Sequence, residues 1–257
     1  MSEHVRAERD GAVLVLTLDR PEKKNALTDA MYATLADALA VAAGDPAVRV
    51  ILFRGEGEAF TSGNDIGDFA AVATGAVSQS DRAVLRFLRA LAGAEKPLVA
   101  AVKGVAIGIG ATLLLHCDLV YVAEDARLST PFVDLALAPE AGSSLLLPAR
   151  IGHARAFAMF ALGEALDGRA AAALGLANAA LPADEVDARA RQAAHRLAAR
   201  PPGALLQTKR LMRDAAAIAA VMDVELEVFS QRLTSPEARE AFTAFAERRK
   251  PDFTPFS

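Results

Sequence analysis

The feature that most constrains this chain is a change of hydrophobic period along its length. Up to about residue 130, short runs rich in Val, Leu and Ile alternate with segments of helical period; after about residue 150 the period is helical. The runs "GAVLVLTLDR" and "VRVILFRGEG" read as strands ended by charged residues or glycine, and "TDAMYATLADALAVAAGDP" between them carries a helix from Thr28 to Gly44. "DRAVLRFLRALAGAEKP" repeats the helical pattern from Asp81 to Glu95 and stops before Pro97. "LVAAVKG" and "CDLVYVAED" then read as two more buried strands, separated by a Gly-rich turn and a short helix in "GIGATLLLHC". Strands alternating with helices define an α/β class with helices packed outside sheet layers. The later stretches "HARAFAMFALG", "GRAAAALGL", "ADEVDARARQAAHRLAARP", "GALLQTKRLMRDAAAIAAVMDVELEVFSQRL" and "SPEAREAFTAFAERRK" read as helices with Gly or Pro punctuation. The expected organisation is a core over residues 1–200 and a helical region over 201–257.

Composition narrows the function classes. With 257 residues, 53% of them hydrophobic, the chain can bury a large core without staples. A single cysteine, Cys117, rules out an intramolecular disulfide, and four scattered histidines show no ligand spacing, so no structural metal is expected. The N-terminal stretch is charged before a short apolar run and fits neither a secretory signal nor an anchor, which makes the cytoplasm the expected compartment. The most apolar stretch, "GVAIGIGATLLL", is twelve residues long, against roughly 18 needed to span a bilayer. A formal charge of -4 and only a short basic tail, "ERRK", disfavour nucleic acid as a partner.

Three stretches can carry chemistry. "FTSGNDIGDF" follows a strand and mixes small residues with an Asn-Asp pair; it reads either as an oxyanion-binding turn or as a helix start capped by Asn64 or Asp65. "VKGVAIGIGATLLL" closes a strand with Gly104, Gly108 and Gly110, outside the register of a dinucleotide fingerprint. It reads either as close helix-to-strand packing or as a backbone N–H, near Ile109, aimed at developing negative charge. In "LALAPEAGSS" one carboxylate, Glu140, sits among Leu135, Leu137, Pro139 and Leu145. Desolvation there raises a carboxyl pKa and suits it to proton transfer near neutrality; alternatively Glu140 complements the dipole of a helix beginning at Ser143 or Ser144. His116 and Cys117 read as core, and Asp134 as a turn residue close enough in sequence to be a second acid.

Together, "RPEKKNALTDAM", "GEAFTSGNDIGDF", "KPLVAAVKGVAIGIGATLLLHCDLVYVAEDARLSTPFVDLALAPEAGSS" and "AFAERRKPDF" resemble, in order and over essentially the whole chain, the crotonase (enoyl-CoA hydratase/isomerase) superfamily. The resemblance implies a crotonase-type spiral of β-β-α units with a C-terminal helical trimerisation region, as a homotrimer or a hexamer of two stacked trimers. It implies an acyl-CoA thioester as partner, with coenzyme A part of the substrate and no separate cofactor. The thioester oxygen would sit between the backbone N–H groups of Asn64 and Ile109. It also places Lys24, Ala26 and Leu27 beside the pantetheine and phosphates, Ser62 and Ile66 near the adenine, and Phe245 and Arg248 at a neighbouring subunit's CoA.

Departures from the family pattern narrow the reaction. Where hydratases carry two glutamates, this chain has Thr112 and Phe132, whereas Glu140 falls where a branch of delta-3, delta-2 enoyl-CoA isomerases has its catalytic glutamate. A lone acid shuttles a proton more readily than it both orients water and protonates carbon. The expected function is therefore enoyl-CoA isomerisation with Glu140 as proton shuttle. The alternatives are an enoyl-CoA hydratase or related CoA-thioester lyase or hydrolase, and a non-catalytic CoA-binding protein.

Overall fold

The computed structural model describes residues 2–65, 67 and 83–256. Six strands form the larger sheet: β1 (Val5–Asp10), β2 (Val13–Leu18), β3 (Val50–Gly55), β4 (Leu98–Val102), β6 (Leu119–Ala123) and β9 (Ala179–Leu181), in the order β1-β2-β3-β4-β6-β9. Only β1 runs antiparallel to its neighbour. A smaller sheet holds β5 (Val105–Ile107), β7 (Arg127–Ser129) and β8 (Leu166–Asp167) in the order β5-β7-β8. The chain steps from β4 into β5 and from β6 into β7, so each turn of the spiral lays one strand in each sheet. Isolated bridges Thr61–Ala106 and Leu27–Asn64 extend this stacking to the earlier turns.

Burial follows from position in the layers. All six residues of β2 and all five of β4 are buried, as expected of sheet strands covered on both faces. Helix α1 (Asp29–Gly44) is capped by Thr28, whose side chain accepts from the Met31 N–H, and packs against α2 (Ala83–Ala92). Short α3 (Ile109–Thr112) continues as a 3-10 turn, Leu113–His116. Helices α4 (Ser143–Ile151), α5 (His153–Ala161), α6 (Gly168–Ala173) and α7 (Val186–Ala198) follow, then α8 (Pro202–Met212), α9 (Ala215–Leu233) and α10 (Pro236–Ala246). A break at Asp214, which caps α9 by accepting from the Ala217 N–H, divides the longest helical stretch in two.

Two features depart from the sequence reading. The segment between residues 150 and 200 is not helical throughout, because β8 and β9 each complete a sheet edge. They are two and three residues long, too short to show a period of two. The first strand, β1, also escapes that reading: its "VRAERD" is mostly exposed and charged, as suits an edge.

Gly104 turns the chain from β4 into β5 at φ +58, and a Cβ there would lie 2.0 Å from the Glu58 carbonyl oxygen. Gly11, at φ +61 in the β1–β2 hairpin, has open space around it. Both alanine variants carry backbone strain, so urea denaturation should show Gly104→Ala less stable than Gly11→Ala by about 1–3 kcal/mol. Equal losses would mean that the corner is not tightly packed.

Candidate active site

Three loops converge because the spiral stacks them. Leu27 N–H donates to the Gly63 carbonyl at 2.8 Å and Asp65 N–H to the Leu27 carbonyl at 2.9 Å; Ser62 N–H donates to the Lys24 carbonyl at 2.9 Å. The Lys24–Leu27 loop enters through two left-handed residues, Lys24 and Asn25. Buried Asn25 stabilises that shape: its Nδ2 donates to the Glu56 and Ala59 carbonyls and its Oδ1 accepts from the Arg20 N–H. Arg20 ties the same loops by donating to Asp65 Oδ2 at 2.7 Å and to the Ala26 carbonyl. That bond holds the Asp65 carboxyl below its usual range. Asp65 is therefore a structural acid; its Oδ1 accepts from the Gly67 N–H.

Against this pair lies the glycine turn after β5. Gly63, at φ +94, comes so near the Ile107 carbonyl oxygen that a Cβ would lie 2.8 Å from it. Asn64 follows Gly63, and its side-chain oxygen accepts from the Tyr32 hydroxyl at 2.5 Å. Ile109 is the first residue of α3, where a backbone N–H has no intrahelical acceptor. Among the described residues, neither the Asn64 N–H nor the Ile109 N–H donates a backbone hydrogen bond. Both N–H groups are thus left without a backbone acceptor.

Glu140 stands over this region. Thr112, the last residue of α3, donates from Oγ1 to Glu140 Oε1 at 2.6 Å. Burial raises the Glu140 carboxyl to a pKa of about 7; the Thr112 bond opposes that rise and the charge of Glu225 adds to it. Glu140 shares a cavity with Asn64 and Glu225, walled by Val84, Leu85 and Leu88 of α2 and by Leu226 and Phe229 of α9. After Glu140 come two left-handed residues, Ala141 at φ 61 and Gly142 at φ 70. The Ala141 carbonyl accepts from His116 Nε2 at 2.7 Å, and His116 Nδ1 accepts from Arg213 at 2.6 Å. Burial and the adjacent Arg213 charge lower the His116 pKa to about 3, so the ring is neutral.

The structure thus brings Glu140 and Asn64 into one cavity and sets α3, which begins at Ile109, beside them. Lys24 is exposed, Ala26 and Ser62 are half-buried, and all three lie on the strip bonded to the Asn64 turn; the Leu27 side chain is fully buried there. Phe245 and Arg248, at the end of α10, are exposed and do not line the cavity. Ile66 lies outside the described residues. Asp134 is exposed, against Gly163, and does not line the cavity, and burial pushes the Cys117 thiol up to about 12. Among the described residues, no group of three or more His, Cys, Asp or Glu could hold a metal ion, and no helix is long and apolar enough to cross a membrane.

Sequence reasoning passed over Asn25, Tyr32 and Glu225. For Glu225 a signal was present: it occupies the register of buried Ile218, Met222 and Phe229, so an acid sits on the apolar stripe of α9. Asn25 and Tyr32 look like ordinary loop and helix residues until their partners are known.

A spiral that lays paired strands in two sheets is a crotonase-type fold. The enoyl-CoA hydratase/isomerase family model matches residues 8–255, and the chain belongs to that family. It is 35% identical to 1,2-epoxyphenylacetyl-CoA isomerase of Escherichia coli (strain K12) over 260 residues, 99% of each chain. It is 33% identical to 2,3-dehydroadipyl-CoA hydratase of the same organism, over 98% of this chain and 99% of that one. The solved structure of Pseudomonas aeruginosa OdaA superposes with a TM-score of 0.90 at 51% identity, covering 95% of this chain and 99% of that one.

The neutral state of His116 stabilises the fold fully above its unfolded pKa, near 6.5, and that stability is lost as pH falls toward 3. Between pH 7 and pH 5, wild type should lose about 2 kcal/mol more than His116→Gln in urea denaturation. Parallel losses would show that the ring is free to take a proton.

Proposed function

We propose that the protein isomerises 3-enoyl-CoA thioesters to 2-enoyl-CoA thioesters, with Glu140 as the proton shuttle. The observation that carries this reading is one carboxyl raised to about 7 in a cavity shared with the Asn64 turn. Ionised Glu140 takes a proton from C2, giving a dienolate whose oxygen is held by the N–H groups of Asn64 and Ile109. The same carboxyl then delivers the proton to C4, and the double bond comes to rest between C2 and C3. A pKa near the working pH suits both halves of that transfer. Binding the dienolate oxygen more tightly than the neutral carbonyl lowers the barrier, by about 3 kcal/mol per donor in comparable sites.

Coenzyme A enters as part of the substrate, and no separate cofactor is needed. By resemblance, Lys24, Ala26, Leu27 and Ser62 lie along it. In the homotrimer or dimer of trimers that we propose, residues 201–257 supply the subunit contacts, with Phe245 and Arg248 reaching a neighbour's CoA. The hydratase reading is favoured by one observation: buried Glu225 lines the same cavity and gives a second acid beside Glu140, while the third carboxylate there, Asp223, is largely exposed. Against it, both Glu225 oxygens already accept hydrogen bonds from the chain.

With 3-hexenoyl-CoA, ultraviolet absorbance of the conjugated thioester should rise, and Glu140→Gln should cut kcat by roughly two to four orders of magnitude. Loss of absorbance from crotonyl-CoA, with none gained from 3-hexenoyl-CoA, would make the protein a hydratase. In wild type, kcat/KM should rise with pH to about 7 and then level, because only the ionised carboxyl removes the C2 proton. Stability should move the other way, since a raised acid destabilises the fold as pH climbs from its unfolded value near 4.5 through 7. Relative to wild type, Glu140→Gln should therefore gain on the order of 2 kcal/mol between pH 5 and pH 8 in urea denaturation.

A further inference from the structure

We propose that Glu225 is a positioning residue: its carboxylate, carried on α9, holds the turn that aims Glu140, so that the acid is assembled only when this helix docks. The proposal rests on reading Glu140 as the proton-transfer group. Gly142 stands at the N-cap of α4 and has no side chain to satisfy the helix's first N–H groups. Glu225 supplies that cap from 83 residues away. It accepts from Gly142 N–H at 2.6 Å, Ser144 N–H at 2.8 Å and Ser144 Oγ at 2.5 Å. A negative group at this helix end also suits the helix dipole.

The turn needs such a clamp. Ala141 is left-handed without being glycine, which costs on the order of 1 kcal/mol or more. Next to it, a Cβ on Gly142 would come within 3.1 Å of Ile218 and 3.5 Å of Met222, both on α9. Helix α9 therefore packs directly on the turn while its buried acid bonds it. His116 holds the Ala141 carbonyl, as a neutral ring.

The charged groups lining the cavity with Glu140 are Glu225 and Asp223 from α9 and Arg89 from α2; Thr112 of α3 donates to it. Arg89 and Asp223 face each other at 3.6 Å with both side chains largely exposed. Glu225 is buried and is the like charge that acts on Glu140. Removing its charge without removing its volume should therefore change the titration of Glu140 as well as the geometry of the turn.

The test compares full-length wild type, Glu225→Gln and Glu225→Asp by carboxyl-carbon NMR titration, with the Glu140 signal assigned by its absence in Glu140→Gln, and by kinetics on 3-hexenoyl-CoA. Glu225→Gln should move the Glu140 titration down, while burial, the larger cause, keeps it above the ordinary carboxylate range. It should lower kcat about tenfold or more while KM stays within about twofold. Glu225→Asp, which keeps the charge, should recover part of both. A Glu225→Gln protein that titrates and turns over as wild type does overturns the proposal. If that variant does not fold, Glu225→Asp alone decides: lowered kcat with Glu140 still titrating near its wild-type value supports the clamp, and unchanged kcat overturns it. A wild type that leaves 3-hexenoyl-CoA untouched, while the NMR difference persists, rejects the isomerase reaction and upholds the clamp.

Discussion

The left-handed turn at Ala141 and Gly142 is held by hydrogen bonds to two side chains from distant parts of the chain, and the proposed chemistry depends on that restraint. His116 holds the Ala141 carbonyl and Glu225 holds the Gly142 and Ser144 N–H groups. Between them the backbone has little freedom to swing Glu140 out of the cavity. A carboxyl left to itself would turn toward water, where its pKa is ordinary and its reach to a substrate carbon is lost. Both restraining side chains are themselves buried, His116 completely. Burial makes each bond costly to break, because a freed polar group would find no water to replace its partner.

Layering does the same for the other half of the site. Stacking Leu27 on Asn64 and Thr61 on Ala106 aligns successive turns of the spiral, and the loops beyond those bridges meet at one edge. Gly63 and Gly110 let them meet closely, since a Cβ at either would strike a neighbouring strand residue. The Asn64 N–H is left without a backbone acceptor because the bridge to Leu27 bonds its neighbours, and the Ile109 N–H because it opens α3. The fold and the close meeting of these turns are consequences of the same packing. The acid is different: it reaches the site on a loop from another part of the chain and needs its own supports.

Sequence and structure agree most where burial alone dictates the outcome. Strands β2, β3, β4 and β6 are apolar runs that only a covered sheet can hold, and Thr28 marks the start of α1 by its capping chemistry. Strand β1 hides its period under edge charges, and β8 and β9 are fixed by neighbours rather than by their own residues. Glu140 is legible as an acid among apolar side chains, and the family resemblance points to a base rather than a helix cap. The actual cap of α4 is Glu225, 81 residues after Ser144, which no local pattern around the turn could reveal. Its place in the apolar register of α9 did mark it as an acid with a buried partner.

One measurement tests the central claim, that a single carboxyl moves one proton between two carbons. 3-Hexenoyl-CoA carrying deuterium at C2 is converted by the protein in ordinary water, and the product is examined for deuterium at C4. A shuttle by Glu140 in a sheltered cavity predicts that part of the label removed from C2 reappears at C4, and that Glu140→Gln abolishes the transfer. A product that bears a hydroxyl at C3, or label that never leaves C2, would contradict it.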